Sequence, residues 1–432
     1  MSEIVEKVQG PDLSRKLFGG VLDYDGAGYY PGLELLNLVF CCEADILLPQ
    51  DEPILVRRQA HDFARRLVWD DRFAAHPKRR EVLFDDRSED AVRHLLQCLK
   101  VAIPNQSKTP TWERSHFFPY TRSLLHWDAR LRGSGERSVL KMERRYLRGG
   151  GALVFRILRH DPDSRRLDRV RTGFSQLYEE TSNSPLEQLA KVLLDNGAFD
   201  SQARPDDIES RCVLFEDQLE ELLRDGMANV LSHSELPAAA RVRATVAWTG
   251  LWLTIAQHTR ASYYLGQDVR PIICDCGSGH SQLRRASQRC LKEIQADIVR
   301  AAEQAGGADL SSQQKNKLRG FFWATAATMQ LLNSWRGRRH FTLGLETLET
   351  LVLAATEGSQ QLSFEKFVHN WLFGRCGFVA GRDAASDAAL LRSLDASIFE
   401  DNENRLAGQM QAAGLLTLYS DATRMVGTGG LR

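Results

Sequence analysis

The sequence predicts a mainly α protein, a multi-helical body followed by a C-terminal winged-helix module of three helices and a β-hairpin. Three observations predict it. Apolar residues recur at three- and four-residue spacing over much of the second half of the chain, the period of helices with one buried face. Serines followed three residues later by glutamate, as in Ser184-Pro185-Leu186-Glu187 and Ser397-Ile-Phe-Glu400, form capping boxes that mark helix starts. The last seventy or so residues then run helix, helix, capped helix and two short β-prone segments joined by Ser420-Asp421-Ala422, which is the order of a winged helix.

Residues 1–50 read as loop-rich packing, with Gly19-Gly20, Gly26, Gly28 and Pro31-Gly32 among apolar residues and one helix over 33–40. A basic amphipathic helix follows over 55–69, with Phe63 and Leu67 on one face. Ser88 caps another, in which Val92, Leu95, Leu96 and Leu99 keep helical spacing. Pro, Thr and aromatic residues over 107–127 suit a packed loop, and an arginine-rich stretch over 130–148 ends at Gly149-Gly150-Gly151. The apolar run 152–158 fits a strand or a short helix equally, being too short for its period to decide. The helix opened at Ser184 stops at Gly197, and long helices are expected over 208–231 and 237–265. The second of these is apolar nearly all round and is the expected central core helix. Residues 271–276 are the most strand-like before the wing, and amphipathic helices follow over 281–304, 312–335 and 343–355. In the terminal module Ser363 opens the first helix, residues 383–394 form the second, and Ser397 opens a third that Gly414 stops. Segments 415–419 and 423–426 make the wing. The expected organisation is an N-terminal, arginine-rich region over 1–175, a helical core over 176–358 and a winged helix over 359–432.

A chain of 432 residues with 43% hydrophobic and 26% charged residues suits a soluble globular protein with one large core or two to three smaller ones. No stretch approaches the length of apolar sequence that a membrane span needs, and the first residues lack the basic and apolar regions of a signal peptide. The eight cysteines show no framework spacing, so a reducing, cytoplasmic setting is expected. Net charge is zero, yet between Trp112 and Arg171 basic residues outnumber acidic ones by roughly two to one. A local patch of that kind can hold phosphates even in a neutral protein.

That patch supplies the main nucleic-acid candidates: Arg130, Arg132, Arg137, Lys141, Arg144, Arg145 and Arg148, with Arg165 and Arg166 beyond. Guanidinium groups suit bidentate phosphate contacts. The interleaved Glu136, Glu143, Asp161, Asp163 and Asp168 offer surface ion pairs as the plain alternative. Two smaller clusters are Arg284, Arg285 and Arg289, and Arg336, Arg338, Arg339 and His340. In the terminal module Asn404, Arg405 and Arg424 are the candidates for DNA, together with Gln409, while Glu400, Asp401 and Glu403 in the first turns of the third helix oppose a phosphate. That module docks either a protein partner or DNA.

Residues 272–280, Ile-Ile-Cys-Asp-Cys-Gly-Ser-Gly-His, outline a strand, a glycine-rich turn and a helix start. The Asp275-x-Gly277-x-Gly279 order resembles the first motif of S-adenosylmethionine-dependent methyltransferases, which implies a nucleotide-like cofactor at the turn. The second acidic strand of that family is not found, since the sequence reads as helical through Glu293 and Asp297. Cys274, Cys276, His280 and Cys290 are the alternative zinc ligands, against a packing role for buried thiols. The expectation is no metal and no cofactor, and neither a phosphate loop nor a His-Glu-x-x-His or Gly-x-Ser-x-Gly pattern occurs in the sequence.

The tail, with Gly377-Phe-Val-Ala-Gly381, Glu403-Asn404-Arg405-Leu406 and residues 414–426, resembles the winged-helix ends of accessory proteins in prokaryotic anti-phage defence operons. The resemblance implies a non-enzymatic, nucleic-acid-associated or adaptor subunit of a larger DNA-directed complex, with protein partners and no membrane. An enzyme using the Cys274–His280 turn and a purely structural scaffold are the alternatives.

Overall fold

The computed structural model describes residues 10–23, 28–40, 47–50, 52–56, 85–87, 90–91, 94, 118–122, 125, 129–132, 139–142, 150–178, 187, 204–205, 207–306, 310–333, 338–420 and 422–429. These residues are mainly helical. In chain order the body contains α1 (Gly10–Phe18), α2 (Tyr30–Phe40), β1 (Leu55–Val56), β2 (Ala129–Arg132), β3 (Val139–Met142), α3 (Gly150–Arg159) and α4 (Ser164–Ser175). Then come β4 (Arg204–Pro205), α5 (Gln218–Ser232), α6 (Ala238–Tyr264), β5 (Ile272–Ile273), α7 (Ser281–Gly306), α8 (Ser312–Thr328) and α9 (Leu345–Ala355).

Helix α6 is the centre, as its sequence predicts. Residues 244–262 carry no charge until Arg260, contain no proline, and are all buried. Helices α1, α2, α5, α7, α8 and α9 pack around it. Trp248 and Trp252 fill the interface with α5, and each indole N–H donates to an α5 carbonyl, Leu223 at 3.2 Å and Leu219 at 2.6 Å. Truncating a buried aromatic of this size costs about 3–5 kcal/mol. Close crossing requires small residues: a Cβ on Gly32 of α2 would lie 2.6 Å from the Val246 backbone. The one buried cation of α6, Arg260, is committed inside the protein, donating to the Phe18 carbonyl at 2.7 Å and pairing with Glu220 at 3.1 Å. The helix stops where Gly266 adopts φ +64°, a left-handed conformation that glycine enters without steric cost.

The C-terminal residues form β6 (Leu362–Ser363), a helix α10 (Phe364–Lys366) that widens into π turns over Phe367–Phe373, β7 (Phe378–Val379), α11 (Arg382–Asp387), a 3-10 turn (Leu390–Arg392), α12 (Ala396–Ala412), β8 (Leu416–Leu418) and β9 (Arg424–Val426). β8 and β9 are an antiparallel hairpin, and β6 adds to its other edge in the order β6-β9-β8. β7 pairs in parallel with β5, so this unit is hydrogen-bonded to the body.

Several boundaries differ from the sequence reading. The helix expected over 208–231 begins only at Gln218. Asp217 caps it, and the Glu220 carboxylate folds back to accept from the Phe215 and Glu216 amides, which holds Glu216 at φ 52°. The helix expected over 312–335 ends at Thr328, beyond which Gln330 is left-handed at φ 56°. The segment 383–394 is broken, because Ala389 at φ 55° separates α11 from the 3-10 turn. The third helix is capped by Asp395, whose side chain accepts from the Ser397 amide, while Glu400 is drawn to Arg382 at 2.6 Å. The ambiguous run 152–158 is helical, and all its residues but Arg156 are buried. Leu55 and Val56, expected to open a helix, instead pair with β4. The rest of that helix, the helix at Ser88 and nearly all of the helix at Ser184 lie outside the described residues.

Candidate anion-binding site

The glycine-rich turn after β5 is built by its own aspartate. Asp275 Oδ1 accepts from the Gly277 and Ser278 amides at 3.1 and 3.2 Å and from the Ser278 hydroxyl at 3.3 Å. Gly277 and Gly279 sit at φ +82° and +85°, which explains both glycines. Asn402 of α12 then clamps the turn. Its Oδ1 accepts from the Cys276 amide at 2.8 Å, and its Nδ2 donates to the Cys274 and Ala380 carbonyls at 3.0 and 2.8 Å. Gln409 adds a bond to the Cys276 carbonyl at 3.0 Å, and His280 Nε2 donates to Asp401 at 2.9 Å. The amides of Cys276, Gly277 and Ser278, the ones a cofactor phosphate or carboxylate would seek in such a turn, are therefore already bonded.

The thiols of Cys274, Cys276 and Cys290 are buried. Burial pushes Cys274 well up, Cys276 up to about 12 and Cys290 up to about 11, so none is poised as a thiolate at neutral pH. Cys290 donates to the Pro271 carbonyl at 3.2 Å, and His280 is turned toward Asp401. Among the described residues no three or more His, Cys, Asp or Glu side chains group as a metal site.

What the turn does position is a guanidinium cluster. Asp275 Oδ2 lies 3.3 Å from Arg284 Nε and 3.5 Å from His340 Nε2. Burial raises this carboxyl, but the hydrogen bonds from His340 and Arg284 outweigh it and hold it down at about 2. The segment 338–341 is stitched to α7 from both sides. Ser287 Oγ accepts from the Phe341 amide at 2.8 Å, and Gln288 and Asn333 both donate to the Arg338 carbonyl, at 3.4 and 3.3 Å. His340 Nδ1 donates to the same carbonyl at 3.2 Å. Between these walls opens a pocket of about 440 Å³ lined by Ser281, Arg284, Arg285, Gln288, Asn333, Arg338 and His340.

Two clusters some fifty residues apart in sequence thus meet in space. Arg284 is matched by Asp275, whereas the exposed Arg285 and Arg338 pair with no carboxylate among the described residues. Arg285, Arg289 and Lys292 continue along the exposed side of α7, where residues 281–292 include no acid. Arg339 stacks over the Trp323 ring, 4.1 Å from its centroid, and Arg336 lies outside the described residues.

The larger cluster fares differently. Arg166 is held by Asp161 at 2.7 Å, Asp225 at 2.6 Å and Glu221 at 2.8 Å, and the hydrogen bond with Asp161 above all keeps its proton bound more firmly than usual. Arg159 pairs with Glu209, Arg169 with Glu357 and Arg171 with Asp168. Of the arginines over 156–171 only Arg165 is exposed without an ion pair among the described residues. Arg130, Arg132 and Lys141 fall on the β2–β3 hairpin, where Arg130 is the partner of Lys141 in register. Arg137, Arg144, Arg145 and Arg148 lie outside the described residues.

In the C-terminal unit Asn404 and Arg405 are exposed on α12, and Arg405 lies one turn beyond Asp401. Arg424 is committed to Glu365 at 2.7 Å and lies over the Phe364 ring, 4.5 Å from its centroid, so it braces the hairpin against α10. Asn402 and Gln409, polar residues that the sequence leaves on a groove-facing helix, are the clamp. The sequence does hold a signal for Asn402: with Phe399, Leu406 and Met410 it occupies one helical stripe, and all four are buried.

No helix among the described residues is long and apolar enough to cross a membrane. No protein-family model, curated protein or solved structure matches the chain.

Proposed function

We propose that the chain is a non-enzymatic, nucleic-acid-associated subunit of a larger DNA-directed complex, in line with the anti-phage accessory proteins its tail resembles. Phosphate is held at the α7 pocket, and the C-terminal unit acts as a winged helix that docks a partner or DNA. The observation that carries the reading is the meeting of Arg284, Arg285 and Arg338 around one pocket with a single neutralising carboxylate. Three helices followed by a hairpin, with β6 on its edge, support the winged-helix part. Phosphate contacts give affinity and register without sequence preference, and a subunit placed by its protein partners needs no more from DNA than that.

The test is binding of fluorescent duplex and single-stranded oligonucleotides by the wild-type chain and by an Arg285→Ala/Arg338→Ala variant. Both side chains are exposed, so the variant retains its fold. The expected result is salt-sensitive binding that weakens about tenfold or more in the variant. Absence of binding, or identical binding by the two proteins, would remove the proposal.

A further inference from the structure

We infer that the α7 pocket takes the terminal phosphomonoester of a nucleic-acid strand in preference to the phosphodiesters along it. The inference rests on the nucleic-acid reading above and gives its site a ligand.

Shape is the first argument. The pocket, at about 440 Å³, is within the size range of small-molecule sites and is walled by the first turns of α7 on one side and by Asn333, Arg338 and His340 on the other. A chain end enters such a recess with one neighbour to accommodate. An internal phosphate carries chain in both directions and is better served by an open ridge, such as the Arg289–Lys292 side of the same helix.

Charge is the second. Asp275 neutralises Arg284, which leaves two guanidinium charges, Arg285 and Arg338, facing the recess. A phosphomonoester carries close to two negative charges at neutral pH, and a diester carries one. The match is therefore to the monoester.

Donor geometry is the third. Two guanidinium forks suit the three acceptor oxygens of a monoester. Arg338 begins from a fixed point, because Gln288, Asn333 and His340 all bond its carbonyl. Ser281 brings the positive end of a helix of 26 residues to the same recess.

The experiment compares single strands of one sequence ending in a 5′-phosphate, a 3′-phosphate or hydroxyl groups only, by fluorescence anisotropy with the full chain. A phosphorylated end is expected to bind about tenfold tighter. The Arg285→Ala/Arg338→Ala variant should lose that preference, and the corresponding lysine variant should keep part of it, having charge without the fork. Lowering the pH from about 7.5 to about 5.5 should shrink the preference as the monoester gains a proton. Equal binding of phosphorylated and hydroxyl ends, still salt-sensitive and still weakened by the two alanines, overturns this inference and leaves the nucleic-acid reading standing. No binding by any strand overturns both. Displacement by a mononucleotide as tight as the strand itself reassigns the pocket to free nucleotides and overturns the strand-end assignment.

Discussion

Replacing Asn402 with alanine tests how the site is held. Its side chain is fully buried and makes three hydrogen bonds, to the Cys276 amide and to the Cys274 and Ala380 carbonyls, across two elements distant in sequence. A typical intramolecular hydrogen bond contributes about 1 kcal/mol net, and a buried group left without its partner adds about 1–3 kcal/mol. The two carbonyls keep some compensation, because each oxygen has a second lone pair, whereas the Cys276 amide has a single proton to donate. Together these terms put the cost at about 3–4 kcal/mol. Urea unfolding followed by tryptophan fluorescence reads it directly, since Trp248, Trp252 and Trp371 lie in the core. The variant should also lose phosphate affinity, because Asp275 no longer fixes Arg284 when the turn loosens. A loss of stability under about 1 kcal/mol, with binding intact, would refute the reasoning that α12 positions the pocket.

Arg166→Ala should cost about 2–4 kcal/mol, because Asp161 is buried and would face Glu221 and Asp225 without a counter-charge, while oligonucleotide affinity stays unchanged. A large fall in affinity with little change in stability would instead make Arg166 a phosphate ligand. The carboxyl of Asp275 drops from 3.8 to about 2 on folding, so its contribution is complete above about pH 4 and fades as pH falls toward 2. Asp275→Asn should therefore flatten the acid limb of a stability–pH curve between those values, and an unchanged limb would contradict the pairing. Gly226→Ala should destabilise by about 1–3 kcal/mol, since the new Cβ would lie 2.2 Å from the rigid Trp248 ring; unfolding midpoints equal to wild type would show the helices can part.

Much of the helical body is legible in the sequence because the signal is long. The uncharged stretch of α6, the stripes of α7 and α9 and the capped start of α12 each repeat their period for three turns or more. Strands of two residues, such as β5 and β7, carry no period at all, and their pairing depends on a contact between Ile272 and Phe378 that local pattern does not encode. Breaks after Thr328 and Asp387 depend on left-handed Gln330 and Ala389, residue types that do not announce a turn. For the site, residue type pointed to arginine and spacing pointed to the wrong density of it. The crowded 156–171 region is interleaved with acids that the fold brings closer still, while Arg285 and Arg338 owe their proximity to hydrogen bonds from Ser287 and Gln288 to a distant segment. Asn402 was readable from its stripe and was passed over as an exposed polar residue.

The salt dependence of DNA affinity tests the central claim most directly. If Arg285 and Arg338 each neutralise a duplex phosphate, alanine at both positions lowers the slope of log affinity against log salt by about 1.8, close to 0.9 per contact. A slope that does not change on their removal, or an affinity that ignores salt in the wild-type chain, would contradict a phosphate site at the start of α7.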